Sequence, residues 1–256
     1  MPKKRRSSPS TKRSTPSCRA VSKSDALDLY AKVEDLLGVK EATPDLYTYY
    51  FRFLQTIDFD SLLDVGCGSG DFLLQAKSAF APSKLLGIDL SPSMVEQTRG
   101  RGLDALCIDL CELEDSFDVV TAVFDMLNYL DKHAIKHFLA CLQERVKPGG
   151  YFLCDINTRY GFEEVAVGSF IVDDDDRFLT IDSEFDEGVY HSAFTLFEKN
   201  ADACFDKSTG VIMQFYHTIE ELAASLDQMD LTEQSNVTLY AEEADKQFLV
   251  FRKHAG

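Results

Sequence analysis

From residue 61 onward, short apolar runs alternate with stretches in which apolar residues recur at helical spacing. "SLLDVG", "LLGID", "ALCI", "DVVTAVF" and "GYFLCDI" predict strands over residues 61–66, 85–89, 105–108, 118–124 and 150–156. The stretches between them predict helices over residues 70–80, 92–100 and 131–146. In the last of these, Ile135, Phe138, Leu139, Leu142 and Val146 share one face, and "KPGG" stops it. Strands that are apolar almost throughout, alternating with helices, belong to a parallel sheet covered on both faces. Two helices precede it, over residues 24–37 and 44–57, the second with Thr43 as N-cap and Pro44 at its first position.

After about residue 168 the pattern changes. "SFIV", "RFLTIDSEF", "GVYHSAFTLF" and "GVIMQFYH" have strand composition and are separated by "DDDD", "DEG" and "NADACFDKSTG". They predict an antiparallel group rather than further crossover units. Thr218 and Glu221 then form a capping box for a helix to about residue 229, and two strands follow over residues 231–237 and 247–252. The expected fold class is α/β, a doubly wound, mostly parallel seven-stranded sheet with a small antiparallel insertion, residues 167–217, between strand five and the last helix. Residues 23–256 are expected to form one domain, behind a basic tail of residues 1–22 that has almost nothing to bury and reads as disordered.

Charge narrows the partners. The net charge is −17, yet seven of the 26 Lys and Arg lie in the first twenty residues, which hold no acid. The rest of the chain carries 19 basic against 43 acidic residues, or −24, and would repel a phosphate backbone. Nucleic acid is therefore disfavoured, although "PKKRR" could serve as an import signal or polyanion patch. No apolar run has the length of a membrane span, and the first residues are basic and polar, unlike a secretory leader. Seven cysteines without a CxxC pair predict neither a disulfide framework nor a zinc site, and point to a reducing, cytoplasmic setting.

The sharpest feature is "DVGCGSG", three glycines where a strong strand meets a helix. Glycine lets backbone approach a ligand that a Cβ would hold away, and the helix start beyond presents free N–H groups. A dinucleotide turn would place its third glycine at residue 71, which is Asp71, and no Gly-Lys-Ser/Thr of a P-loop follows. Asp89 ends the second predicted strand, where a carboxylate can take both hydroxyls of a ribose, and Asp109 stands just past the third. A glycine turn without phosphate features, beside two such acids, suits a nucleoside that carries no phosphate.

In their order and spacing, "LLDVGCGSGDFL", "LLGIDLSPSMV", "CIDL", "FDVVTAVFDMLNYL" and "VKPGGYFLCDINTRYGF" resemble the motifs of class I S-adenosylmethionine-dependent methyltransferases. Within that class the set resembles bacterial small-molecule enzymes with an inserted antiparallel sheet. The resemblance implies S-adenosyl-L-methionine as cofactor, with Gly66, Cys67, Gly68 and Gly70 around its amino-acid portion and Asp64 bracing the loop or meeting the amino group. It implies Asp89 on the ribose, Leu90 and Met94 near the adenine, and Asp109 with the backbone of Leu110 on the adenine edge. Phe124 and Asp125 would face the methyl group, and Tyr50, with Tyr47 and Arg52, would close over the methionine carboxylate.

Asp125 is the candidate acid for an amine acceptor, and His217 the base for a phenol. His133 and His137 have a spacing a metal could use but read as a solvated helix face, and "DDDD" reads as a solvated turn. The expected activity is methyl transfer to nitrogen or oxygen of a small molecule by a monomer or homodimer. Its rivals are a protein or RNA methyltransferase recruited by the basic tail, a non-catalytic cofactor-binding module, and, most remotely, an NAD oxidoreductase.

Overall fold

The computed structural model describes residue 26 and residues 29–201 and 204–256, so the basic tail and the start of the first predicted helix lie outside the described residues. The first full helix, α1 (Val39–Leu54), starts a turn earlier than the sequence suggests. Gly38 stands at its N-cap with φ +71°, the Ala42 amide donates to the Gly38 carbonyl, and Pro44 sits inside the helix instead of opening it. A proline that near the start removes an N–H from the first turns only, so the helix tolerates it.

The strands and helices then follow in chain order as β1 (Ser61–Val65), α2 (Asp71–Phe80), β2 (Lys84–Ile88), α3 (Pro92–Gly100), β3 (Ala105–Leu106), β4 (Phe117–Ala122), α4 (Ala134–Arg145) and β5 (Val146–Asn157). Four long strands form the insertion: β6 (Gly168–Asp174), β7 (Arg177–Asp186), β8 (Val189–Lys199) and β9 (Phe205–Phe215). The chain closes with α5 (Ile219–Ser225), β10 (Met229–Val237) and β11 (Lys246–Lys253). The expected capping box is present, with Thr218 and Glu221 bonding each other's backbone amides at the start of α5.

The main sheet has seven strands in the order β10-β11-β5-β4-β1-β2-β3. All run parallel except β11, which lies antiparallel to both β5 and β10. The second sheet is a four-stranded antiparallel meander, β6 to β9. One core cluster joins α4 and α5 to one face of the main sheet, and another packs α1 and α2 on the opposite face. The inner face of the second sheet is covered by Ala26, Leu29 and Val33 of the N-terminal region. Strand order reverses at β1, which β2 and β4 flank, and ligands of such sheets bind at the carboxyl ends of the strands where that happens.

One expectation fails here. Cys111 and Cys141 are joined in a disulfide, with Cα atoms 5.1 Å apart. Thirty residues separate them in sequence, and only the return of the chain through β4 lays α4 against the turn that carries Cys111, so spacing could not reveal the pair. His137, one turn before Cys141, has its Nε2 3.4 Å from the Cys111 sulfur, so its exposed ring is not merely solvated. The acidic "DDDD" turn holds ion pairs, Asp174 with Arg177 and Asp176 with Lys199.

Candidate active site

The glycine turn divides its work. Gly66, Gly68 and Gly70 all have left-handed backbone, with φ of +70°, +52° and +83°. A Cβ on Gly66 would come within 2.8 Å of Met126, and one on Gly70 within 2.8 Å of Thr98, so packing demands glycine at both. A Cβ on Gly68 would meet no protein atom within 4 Å, which leaves its backbone open to a ligand. The Thr98 hydroxyl donates to the Gly68 carbonyl at 2.8 Å and fixes its direction. Asp71, where a dinucleotide turn would want glycine, opens α2 and pairs with Arg101.

Asp89 is bound into this turn. One carboxylate oxygen accepts the Gly68 amide at 2.9 Å and the other the Ser91 amide at 2.8 Å, while Ser91 itself caps α3. Each oxygen keeps acceptor capacity, as a ribose diol requires. Beside it Leu90 is 70% exposed, a large apolar side chain that a flat base would cover. Asp109 is exposed and accepts the Cys111 amide at 2.8 Å, capping the short 3₁₀ turn Leu110–Glu112. Asp64, on β1, is buried and accepts the Thr121 hydroxyl at 2.7 Å. Burial pushes its carboxyl up to about 7, against the pull of the Thr121 hydrogen bond.

Opposite the turn, Phe124 and Asp125 follow β4 with φ of +57° and +45°, strained values for side chains of this size. Asp155, fully buried on β5, holds them there by accepting both of their amides at 2.8 Å. Tyr50 of α1 donates its hydroxyl to the same carboxylate at 2.6 Å. Lys246 at the start of β11 is 3% exposed, pairs with Asp125, lies 3.4 Å from Asp155 and donates to Asn157 at 2.7 Å. Burial opposes the lysine charge, but Asp125 and Asp155 outweigh it and hold its pKa above the ordinary value. Burial likewise pushes the Asp155 carboxyl up, and Lys246 offsets part of this. From the second sheet, Gln214 donates its amide to the other oxygen of Asp125.

These two groups face one cavity of about 1140 Å³. It runs from the glycine turn past Phe124 and Asp125 to the inner face of the second sheet, where Ser183, Ser192 and Phe194 line it. Of the candidate residues, Asp64, Gly66, Cys67, Gly68, Met94, Phe124 and Asp125 line it. Gly70, Asp89, Leu90, Asp109 and Leu110 do not, and stand within the turn or at the neighbouring ends of β2 and β3. Of the three candidates in α1, Tyr47 lines the cavity, whereas Tyr50 turns inward to Asp155 and Arg52 is exposed and does not line it.

His217 is the clearest departure. It is 1% exposed, its Nε2 donates to the Leu130 carbonyl at 2.8 Å, and burial pushes its pKa down. It borders a separate cleft of about 260 Å³, so the geometry gives it no access to the main cavity. Sequence reasoning missed Asp155, Lys246 and Gln214. Of these only Asp155 carried a signal, an acid inside the apolar run "YFLCDI".

Residues 62–150 match the family model described as a methyltransferase domain. A demethylmenaquinone methyltransferase of Symbiobacterium thermophilum is 34% identical over 107 residues, which make up 37% of this chain and 41% of that one. The chain thus spans less than half the length of that relative. An S-adenosylmethionine-dependent methyltransferase of Clostridium acetobutylicum shares the fold at a TM-score of 0.73 and 20% identity, over 90% of this chain and 99% of its own. The sugar N-methyltransferase KedS8 of Streptoalloteichus shares it at 0.67 and 17% identity, over 98% and 99%. With the match running across the glycine turn and both acid-bearing strand ends, residues 62–150 form a methyltransferase domain, and the fold over nearly the whole chain is that of an S-adenosylmethionine-dependent methyltransferase.

Proposed function

We propose that the chain transfers a methyl group to nitrogen or oxygen of a small-molecule acceptor, and that the acceptor is an amine. The observation that carries this is the continuity of one cavity from the cofactor turn to the second sheet, with Asp125 between the two. At about 1140 Å³ it exceeds the ~300–1,000 Å³ usual for one small ligand, and so has room for cofactor and acceptor together. S-adenosylmethionine supplies an activated methyl group; the chain's own task is to align a nucleophile with it in a dry enclosure.

Asp125 is the group suited to that alignment. A carboxylate offers about four lone-pair sites, of which Lys246 and Gln214 use two, leaving capacity for a donor on the acceptor. In this half of the cavity Asp125 and Asp245 line the wall and Asp155 lies beneath, against Lys246, which among the described residues is the cation paired with them. That balance favours a cationic or neutral nitrogen acceptor and repels a carboxylate. Gln214 and the serines of the second sheet supply polar contacts for the acceptor's body. The name of the neighbouring sugar N-methyltransferase supports the same reading.

Transfer of label from methyl-tritiated S-adenosylmethionine to glucosamine, catechol and succinate tests it. Label is expected in the amine. Label in succinate alone overturns the amine assignment, and cofactor binding without label in any acceptor supports a non-catalytic module instead.

A further inference from the structure

We infer that Cys111 and Cys141 form a reversible thiol–disulfide site, and that its closure sets the cofactor affinity of the adenine-side turn. Three observations meet here. The pair is already within bonding reach, on a 3₁₀ turn and a helix that pack together. Cys111 is fixed on the turn by the hydrogen bond that its backbone N–H donates to the Asp109 carboxylate, and the preceding Leu110 is buried in one cluster with Leu113, Ile135 and Leu139. His137 has its Nε2 3.4 Å from the Cys111 sulfur and its ring exposed, so a proton can pass between thiol and solvent. Among the described residues Cys67, Cys107, Cys154 and Cys204 remain free, so the pairing is specific to this one place.

The chemistry balances with a low-molecular-weight disulfide as oxidant. His137 takes the proton of the Cys111 thiol, and the thiolate attacks the small disulfide, forming a mixed disulfide and releasing one small thiol. Cys141, as thiolate, then attacks the Cys111 sulfur and expels the second small thiol. Two protein thiols and one disulfide become one protein disulfide and two small thiols. A dithiol reductant reverses the sequence. Both cysteines are half-buried rather than sealed, so a small reagent has access.

Closure matters because of what the turn carries. Asp109 and Leu110 are the residues given the adenine edge, and this inference rests on that reading. When the bond is closed, the turn is tied to α4 and the ordering it needs for binding is already met. When it is open, the cofactor must order the turn itself, and affinity falls. Coupling of this kind is commonly worth about 5–150-fold.

The test is calorimetric titration of the full chain with S-adenosylmethionine after oxidised glutathione and after dithiothreitol, with alkylation mass spectrometry to count closed pairs. Closure at Cys111–Cys141 and at least fivefold tighter binding in the closed form are expected. The double variant Cys111→Ser/Cys141→Ser should bind as the reduced protein does under both conditions; Cys141→Ala serves if that variant folds poorly. His137→Gln should slow closure several-fold while leaving the closed form's affinity unchanged. Failure of the pair to close, or equal affinity in both states, overturns the inference. No cofactor binding in either state would instead overturn the adenine-side assignment on which it rests.

Discussion

The two halves of the cavity are built in different ways. The half proposed for the cofactor is local: Asp64, Gly66 and Gly68 line it and Gly70 and Asp89 brace it from behind, all within 26 residues at the ends of two adjacent parallel strands. The half proposed for the acceptor is assembled from afar, with Asp125 after β4, Asp155 on β5, Gln214 on β9, Lys246 on β11 and Tyr50 on α1. Local construction writes itself into the sequence as glycines and acids at fixed offsets. Distant construction leaves isolated polar residues, each of which reads as solvated surface until the sheet closes. A chain built this way can keep its cofactor turn and change its acceptor by altering residues on β9 and β11.

The contrast breaks most sharply at Asp125. Asp125→Asn keeps the shape but removes the charge proposed to hold the acceptor, so turnover should fall about a hundredfold to a thousandfold. Affinity for S-adenosylhomocysteine, measured by calorimetry, should stay within about twofold, since the glycine turn is untouched. Equal losses in both would mean that the two halves are not separable.

Lys246 tests the acceptor half as architecture. Lys246→Met leaves Asp125 and Asp155 facing each other without a counter-charge, a change that costs about 3 kcal/mol for a buried pair. Urea unfolding should show that loss, Lys246→Arg should restore part of it, and Asp155→Asn in the Met background should recover some of the rest. If Lys246→Met is as stable as the parent, the cluster is not what holds the strained Phe124–Asp125 turn.

Asp89→Ala is the matching cut in the cofactor half. It removes the amide tethers to Gly68 and Ser91 together with the proposed ribose contact. A loss near 2 kcal/mol, about thirtyfold in cofactor affinity, is expected. The catalytic rate at saturating cofactor should change little, because Asp89 touches nothing in the acceptor half.

Much of this was readable in advance, and the reasons are specific. β1 and its turn were legible because a buried parallel strand is mostly apolar, as Leu62, Leu63 and Val65 are here, and glycine marks its end. The start of α5 was legible because the Thr218–Glu221 box is itself a local device. Tyr50 was misplaced because Tyr47 and Tyr50 lie three residues apart on nearly the same face, and only packing decides which reaches the cavity. Lys246 was invisible because "EEADKQFLV" reads as an acidic loop entering a strand, with the lysine as its solvated edge. His217 misled because chemistry was inferred from residue type, whereas the ring is spent on the Leu130 carbonyl.

The last contrast concerns Asp64, and it separates the halves by pH. Its carboxyl titrates near 7 in the folded protein against 3.8 as the ordinary value, because burial disfavours the charge. Between those values the native state binds the extra proton, so this group's stabilising contribution is complete below about pH 4 and is lost as pH rises to about 7. The slope is about 1.4 kcal/mol per pH unit at most, and Asp64→Asn should abolish it in thermal unfolding across that window. The same proton should appear in binding. If Asp64 meets the cofactor's ammonium group, binding at pH 6 must ionise it and release on the order of one proton. Calorimetry in two buffers of different ionisation enthalpy would read that release, absent in Asp64→Asn. No release in the parent would assign Asp64 to bracing the turn through Thr121, and would leave the glycines and Asp89 to hold the cofactor without it.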